Sequence, residues 1–161
     1  MSKGVLTYYI DQFEKLHRGP NWLDEDFGKK LNLVSKELAF RKPFPYLHSI
    51  AEVLSHLVEW RKELYRRFLH GGSAALTDAS ENNWISNDEL ARRGWASLRT
   101  EFEKSQRGIV ELLKERDDTF LGEIWTEGQT YSYLLQGLIE HDAYHLGQIG
   151  LIYKIITHYG H

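Results

Sequence analysis

The chain of 161 residues contains no cysteine. Disulfides, thiolate nucleophiles and Cys-based zinc sites are therefore excluded, and any metal must be held by nitrogen and oxygen ligands. Proline is scarce: the three present, Pro20, Pro43 and Pro45, sit in breaker segments and leave the rest of the chain free to be helical. No stretch approaches the roughly 18 consecutive apolar residues of a membrane span, and the N-terminus lacks the apolar core of a signal peptide. A cytoplasmic protein with no membrane partner is expected. Positive charge is not in excess, with 20 Lys and Arg against 23 Asp and Glu. That balance argues against a nucleic-acid partner, because phosphate binding is driven by clustered Lys and Arg. The densest basic cluster, Arg61-Lys62 with Arg66-Arg67, is interrupted by Glu63 and reads as a solvated helix face. Strand-like alternation is missing too, apart from an ambiguous stretch at 120–125.

What is present is helical periodicity. Residues 3–17 place Leu6, Tyr9, Ile10, Phe13 and Leu16 on one side and stop at Gly19-Pro20-Asn21. A weaker piece follows, with Phe27, Leu31 and Val34 spaced for a helix and Asp24 or Asp26 near its start. Arg41-Lys42-Pro43-Phe44-Pro45 is a stiff connector. A long helix is predicted over 48–69, opened by the Ser49/Glu52 capping-box pattern. It is followed by Gly71-Gly72-Ser73 and a loop over 72–86. A third helix is predicted over 87–116, with a seam of Ala91, Trp95, Leu98, Phe102, Ser105, Ile109 and Leu112. The fourth spans 132–159. Hydrophobic content of 42% and charged content of 27% are those of one compact globular domain over 1–161, long enough to bury a substantial core. Four amphipathic helices in such a domain indicate an all-α, four-helix bundle. Aromatic content of 13% predicts a core or pocket rich in rings, with Trp60 and Trp95 as packing residues.

The most informative segment is His141-Asp142-Ala143-Tyr144-His145-Leu146-Gly147-Gln148. Steps of four and three give Leu134, Leu138, His141, His145, Gln148, Ile152 and Ile155, an inward seam with three polar groups in its middle. Histidines four apart share a helix face and can reach one metal ion. An unpartnered buried polar group costs about 1–3 kcal/mol, so three in a row call for a shared partner. A third ligand is needed. His56, beside Val53 and Trp60, is the best candidate, although a lone His on an apolar edge is more often an ordinary boundary residue. His48, His17, His70, His158 and His161 lie at helix ends or the terminus. Gln148 fits a hydrogen-bond partner better than a ligand. The spacing also matches the H-E-x-x-H of zinc proteases, but Asp142 stands at the general-base position, and Gln148 and Leu151 stand where the extended pattern has Gly and His.

The segment 141–149 resembles the H-x-x-Y-H-x-x-Q-I signature of the DinB/YfiT-like metalloenzyme family. Upstream, residues 48–57 resemble that family's h-S-I-x-E-x-x-x-H-[IL] segment and are followed by Trp60 and Arg61. The Arg41-Lys42-Pro43 connector and Trp95 also fit, so the resemblance covers nearly the whole chain. It implies an up-down-down-up bundle and a divalent metal, with His56, His141 and His145 as ligands and Gln148 and Glu52 as candidates for orienting them. Nitrogen ligands suit several divalent metals, with zinc or nickel the first choices.

Three imidazoles leave coordination positions open, the arrangement of catalytic sites. Related families include transferases and isomerases that use bacillithiol, mycothiol or glutathione. The resemblance implies activation of a low-molecular-weight thiol for attack on a small electrophilic substrate. Tyr144 and Glu59 are the candidates for further catalytic roles. A metal-dependent hydrolase and a non-catalytic bundle with a structural metal are the alternatives. A homodimer is also plausible.

Overall fold

The computed structural model describes residues 4–72, 75–126 and 128–158. The expected first residue of helix one (Lys3), Ser73 of the glycine turn, the expected last residue of helix four (Tyr159) and His161 lie outside the described residues.

Helix α1 (Val5–His17) buries Leu6, Ile10, Phe13 and Leu16, the stripe its period requires. Its own N-cap, Gly4, has no side chain to offer. Asp118 takes that role from far along the chain, accepting the Val5 and Leu6 N–H groups at 2.9 Å each. A Cβ at position 4 would press on that carboxylate, which would have to move from its place on the two amides. The short helices α2 (Phe27–Asn32) and α3 (Lys36–Ala39) are capped by Asp26 and Ser35. Helix α4 (Ile50–His70) opens on a complete capping box: Glu52 accepts the Ser49 N–H at 2.8 Å and Ser49 accepts the Glu52 N–H at 3.1 Å. It stops at Gly71, whose φ of 62° suits only a residue without Cβ.

The segment expected to be loop contains a 3-10 turn, Glu81–Trp84. The third predicted helix is two: α5 (Asn87–Arg93) and α6 (Trp95–Lys114). The break is at Gly94, whose φ of 91° lies outside the right-handed helix. The seam also departs from the expected one. Before the break Ala91 is exposed, and beyond it Ser105 is only half-buried while Gln106 is buried in its place. The ambiguous 120–125 stretch resolves into α7 (Thr119–Gly122) and β1 (Ile124–Thr126), which pairs antiparallel with β2 (Gln129–Thr130). Helix α8 (Tyr131–His158) completes the all-α architecture.

The long helices pack around one another, with α4 and α1 each lying against both α6 and α8. Along α4 and α6 the numbers rise together, Lys62 meeting Glu101 and Tyr65 lying against Gly108. Along α4 and α8 they run oppositely, His56 meeting His141 while the Arg67 carbonyl accepts the Tyr131 hydroxyl. One apolar cluster is built on Phe27, Leu54, Leu57, Phe102 and Ile149, another on Phe13, Phe68, Leu113 and Leu135. Two cations expected on a solvated face are inside. The Arg61 guanidinium lies 4.1 Å from the Phe102 ring centre, 5.1 Å from Phe13 and 5.6 Å from Phe27, bridging the clusters. Arg67 lies 4.7 Å over Trp125, its Nε bonded to Glu63 at 2.8 Å. A planar, weakly hydrated guanidinium stacks on rings where an ammonium would not. Among the described residues, no helix is long and apolar enough to cross a membrane.

Candidate metal centre

His56 sits on the second turn of α4, on the face turned to α8, where it is 6% exposed. One turn of α8 carries both His141 and His145. The three rings converge: the Nε2 atoms of His56 and His141 are 3.0 Å apart, and the ring centres of His145 lie 4.7 Å from His56 and 4.4 Å from His141. One nitrogen from each ring falls within 4.8 Å of the others.

Two of the rings are fixed from behind. His56 Nδ1–H donates to the Asn83 carbonyl at 3.0 Å, and His145 Nδ1–H donates to Gln148 Oε1 at 2.7 Å. A backbone carbonyl can only accept, so the His56 proton is on Nδ1 and its Nε2 is a bare lone pair facing another imidazole nitrogen. A shared cation satisfies such a contact, and neutral imidazoles held by outer-nitrogen hydrogen bonds are the usual donor set of a transition-metal site. Burial lowers the pKa of His56. Burial, followed by the charge of His141, pushes His145 down to about 4. Both rings are therefore neutral at pH 7, as ligands must be. The three residues fit a divalent ion.

The 3-10 turn supplies the back wall, which periodicity could not show. The Asn83 side chain accepts the Trp60 indole N–H at 2.9 Å and donates to the Asp78 carbonyl at 3.2 Å, holding the carbonyl that anchors His56. Trp84 stacks on His56 at 4.1 Å and, through its other face, on His48 at 3.7 Å. Neither residue carried a readable signal, because a 3-10 turn of four residues is too short to establish a period.

Glu52 is placed on the capping box, its carboxylate also 3.0 Å from Lys42 Nζ and 3.6 Å from His48 Nδ1. Glu59 bonds Lys62 at 2.8 Å and Asn82 at 3.2 Å. Tyr144 is 64% exposed, edge-on to His145 with ring centres 5.1 Å apart. Asp142 is buried and paired with Arg61, Oδ2 to Nη2 at 2.7 Å. Burial opposes its ionisation, but the Arg61 charge beside it holds the carboxyl below the usual range. The histidines lie in the wall of a cavity of about 690 Å³, whose lining includes Trp60, Leu134, Leu138 and Tyr144.

The sequence profile of the DinB superfamily matches residues 25–149, well over half of the chain and including all three histidines. The chain belongs to the DinB superfamily. A crystal structure of a conserved protein of locus from Enterococcus faecalis is similar to it with a TM-score of 0.73, covering 96% of this chain and 98% of that one. Identity between the two is 14%, so that likeness is one of fold. No match was found among curated proteins. For this DinB-superfamily chain, the family match and the buried histidine group are independent observations that meet at the same helices.

Proposed function

We propose that this protein is a metal-dependent enzyme in which His56, His141 and His145 hold one divalent ion, zinc or nickel, against a cavity that admits a small-molecule substrate. The observation that carries the reading is the convergence of three imidazole nitrogens, two of them with fixed tautomers, in the wall of a cavity of about 690 Å³. A structural site is normally closed by four protein ligands, whereas three with an open side is the catalytic pattern. The candidate group contains three such residues among those described.

The ion would supply Lewis acidity, lowering the pKa of a thiol or water molecule at the open side. The chain's own residues do the rest. Asn83 and Gln148 hold two ligand rings in orientation, and the indole of Trp60 with Leu134 and Leu138 lines the cavity beside them with apolar surface. Tyr144 lines the cavity and can donate a hydrogen bond to a bound molecule, whereas Glu59 is not among the lining residues. The favoured reaction is transfer of a low-molecular-weight thiol onto an electrophilic small molecule.

Metal analysis of the purified protein tests the reading, followed by turnover of an electrophile panel with and without added thiol. Stoichiometric divalent metal is expected, together with thiol-dependent turnover that disappears in His145→Ala. Turnover without thiol assigns a hydrolase instead. A wild-type chain that takes up no divalent metal sinks the proposal.

A further inference from the structure

Of the three imidazoles, His56 and His145 have outer nitrogens with an acceptor in place, a neutral carbonyl in each case. The outer nitrogen of His141, Nδ1, lies 3.9 Å from Asp142 Oδ1. That oxygen is buried and has no hydrogen-bond partner, although Oδ2 of the same carboxylate takes the Arg61 Nη2–H at 2.7 Å. Arg61 is held in turn over Phe102, Phe13 and Phe27, its Nε and Nη1 without partners. Both side chains of the pair are 0% exposed.

Such a pair is a poor device for stability alone. Exchanging a buried ion pair for apolar residues of similar volume is often neutral or stabilising, and Oδ1 goes without the hydrogen bond that a buried acceptor normally has. A carboxylate aimed at the outer nitrogen of a metal-binding histidine has a different use: it fixes the ring and raises its basicity. His141 is half-buried, its inner nitrogen is turned to His56, and its outer nitrogen Nδ1 lies 3.9 Å from Oδ1.

We propose that Asp142, pinned by Arg61, is the positioning residue for His141: its free carboxylate oxygen takes the Nδ1–H and thereby turns Nε2 toward His56 and His145. The proposal rests on the reading under Proposed function. His141 is then the one ligand with a full negative charge behind it, in contrast to the two held by neutral acceptors, and the buried pair is the rear support of the centre.

The test uses the full chain with the double substitution Arg61→Met/Asp142→Leu, which removes both charges together, and Arg61→Met/Asp142→Asn, which keeps a neutral acceptor. In the zinc-loaded wild type, proton NMR is expected to show the His141 Nδ1–H shifted far downfield, the mark of a proton held by a carboxylate, and the Leu variant to lose that shift. Zinc affinity, measured by competition with a chromogenic chelator, is expected to fall about 10–100-fold in the Leu variant, the usual span for an outer partner of a ligand. The Asn variant should lose part of the shift and less of the affinity. If the Leu variant does not fold, an Asn variant with the wild-type shift and affinity overturns the proposal. A wild-type proton shift and zinc affinity in the Leu variant overturn it as well. A wild type that takes up no zinc sinks the metal reading and this proposal with it, whereas zinc uptake with an unshifted Nδ1–H sinks this proposal alone.

Discussion

Two polar centres lie between α4 and α8, with His56 in one and Arg61, five residues on, in the other. The histidine group faces a cavity, with His56 and His145 neutral at pH 7 and their outer nitrogens bonded. The Arg61–Asp142 pair is charged, sealed under three phenylalanine rings and left with unbonded atoms on both partners. The contrast separates two uses of buried polarity. Lone pairs converging at a cavity wall cost little while neutral and are available to a ligand. A closed ion pair commits the interior to one arrangement and is unforgiving when halved.

Breaking the pair should have the largest effect. Arg61→Ala leaves the Asp142 carboxylate alone in the core and should destabilise the protein by about 3–5 kcal/mol, read as a lowered melting temperature by circular dichroism. Retained wild-type stability would mean that water reaches the carboxylate. On the histidine side, His145→Ala should barely change the melting of the metal-free chain. Its divalent-metal affinity should drop by at least ~100-fold, beyond the span carried by outer partners, as measured by isothermal titration. A large loss of apo stability would instead make the ring a packing element.

Acid sharpens the comparison, because two rings of the histidine centre are bases with lowered pKa, while against burial the Arg61 charge holds the Asp142 carboxyl below the usual range. His145, at about 4, and His56, also lowered, are bases whose folded pKa lies below the unfolded value near 6.5. The unfolded chain therefore binds protons first. Stability is fully present above pH 6.5 and is lost as pH falls toward about 4. Metal-free melts between pH 7 and pH 4 should show this decline, and His145→Leu should flatten it. An unchanged slope in that variant would move the pH dependence elsewhere, His17 being another buried base lowered by desolvation. The smallest effect is expected from Gln148→Ala, which frees His145 Nδ1 and should weaken metal binding about 10-fold with little change in melting temperature. Unchanged affinity would show that the 2.7 Å bond is not needed to orient the ring.

The legible features were those written in local spacing. Ser49 and Glu52 announce the start of α4, and the 4,3,4,3 seam of α8 carries His141, His145 and Gln148 on adjoining turns, where the structure pairs His145 with Gln148. Features assembled across the fold were hidden. Arg61 stands next to Lys62 in the sequence and looks solvated; what buries it are rings contributed by α1, α2 and α6, and no spacing within α4 records them. Asp142 registers in the sequence only as a departure from the protease general base, because its partner Arg61 is 81 residues away. Asn83 and Trp84 fell in a stretch with no period, and their placement against His56 depends on the turn as folded. Gly94 broke a continuous helical pattern because one residue with positive φ ends a helix that the flanking residues would otherwise continue.

The capping of α1 has a consequence for how the chain is made. The amides of Val5 and Leu6 are closed by a carboxylate 113 and 112 residues downstream. On the ribosome, that first turn emerges long before its acceptor exists. A helix of 13 residues is marginal by itself in water, so α1 stays frayed at its leading end until α6 and the Asp118 turn have been synthesised and have docked. Among the described helices, the first along the chain depends for its leading turn on one of the later segments.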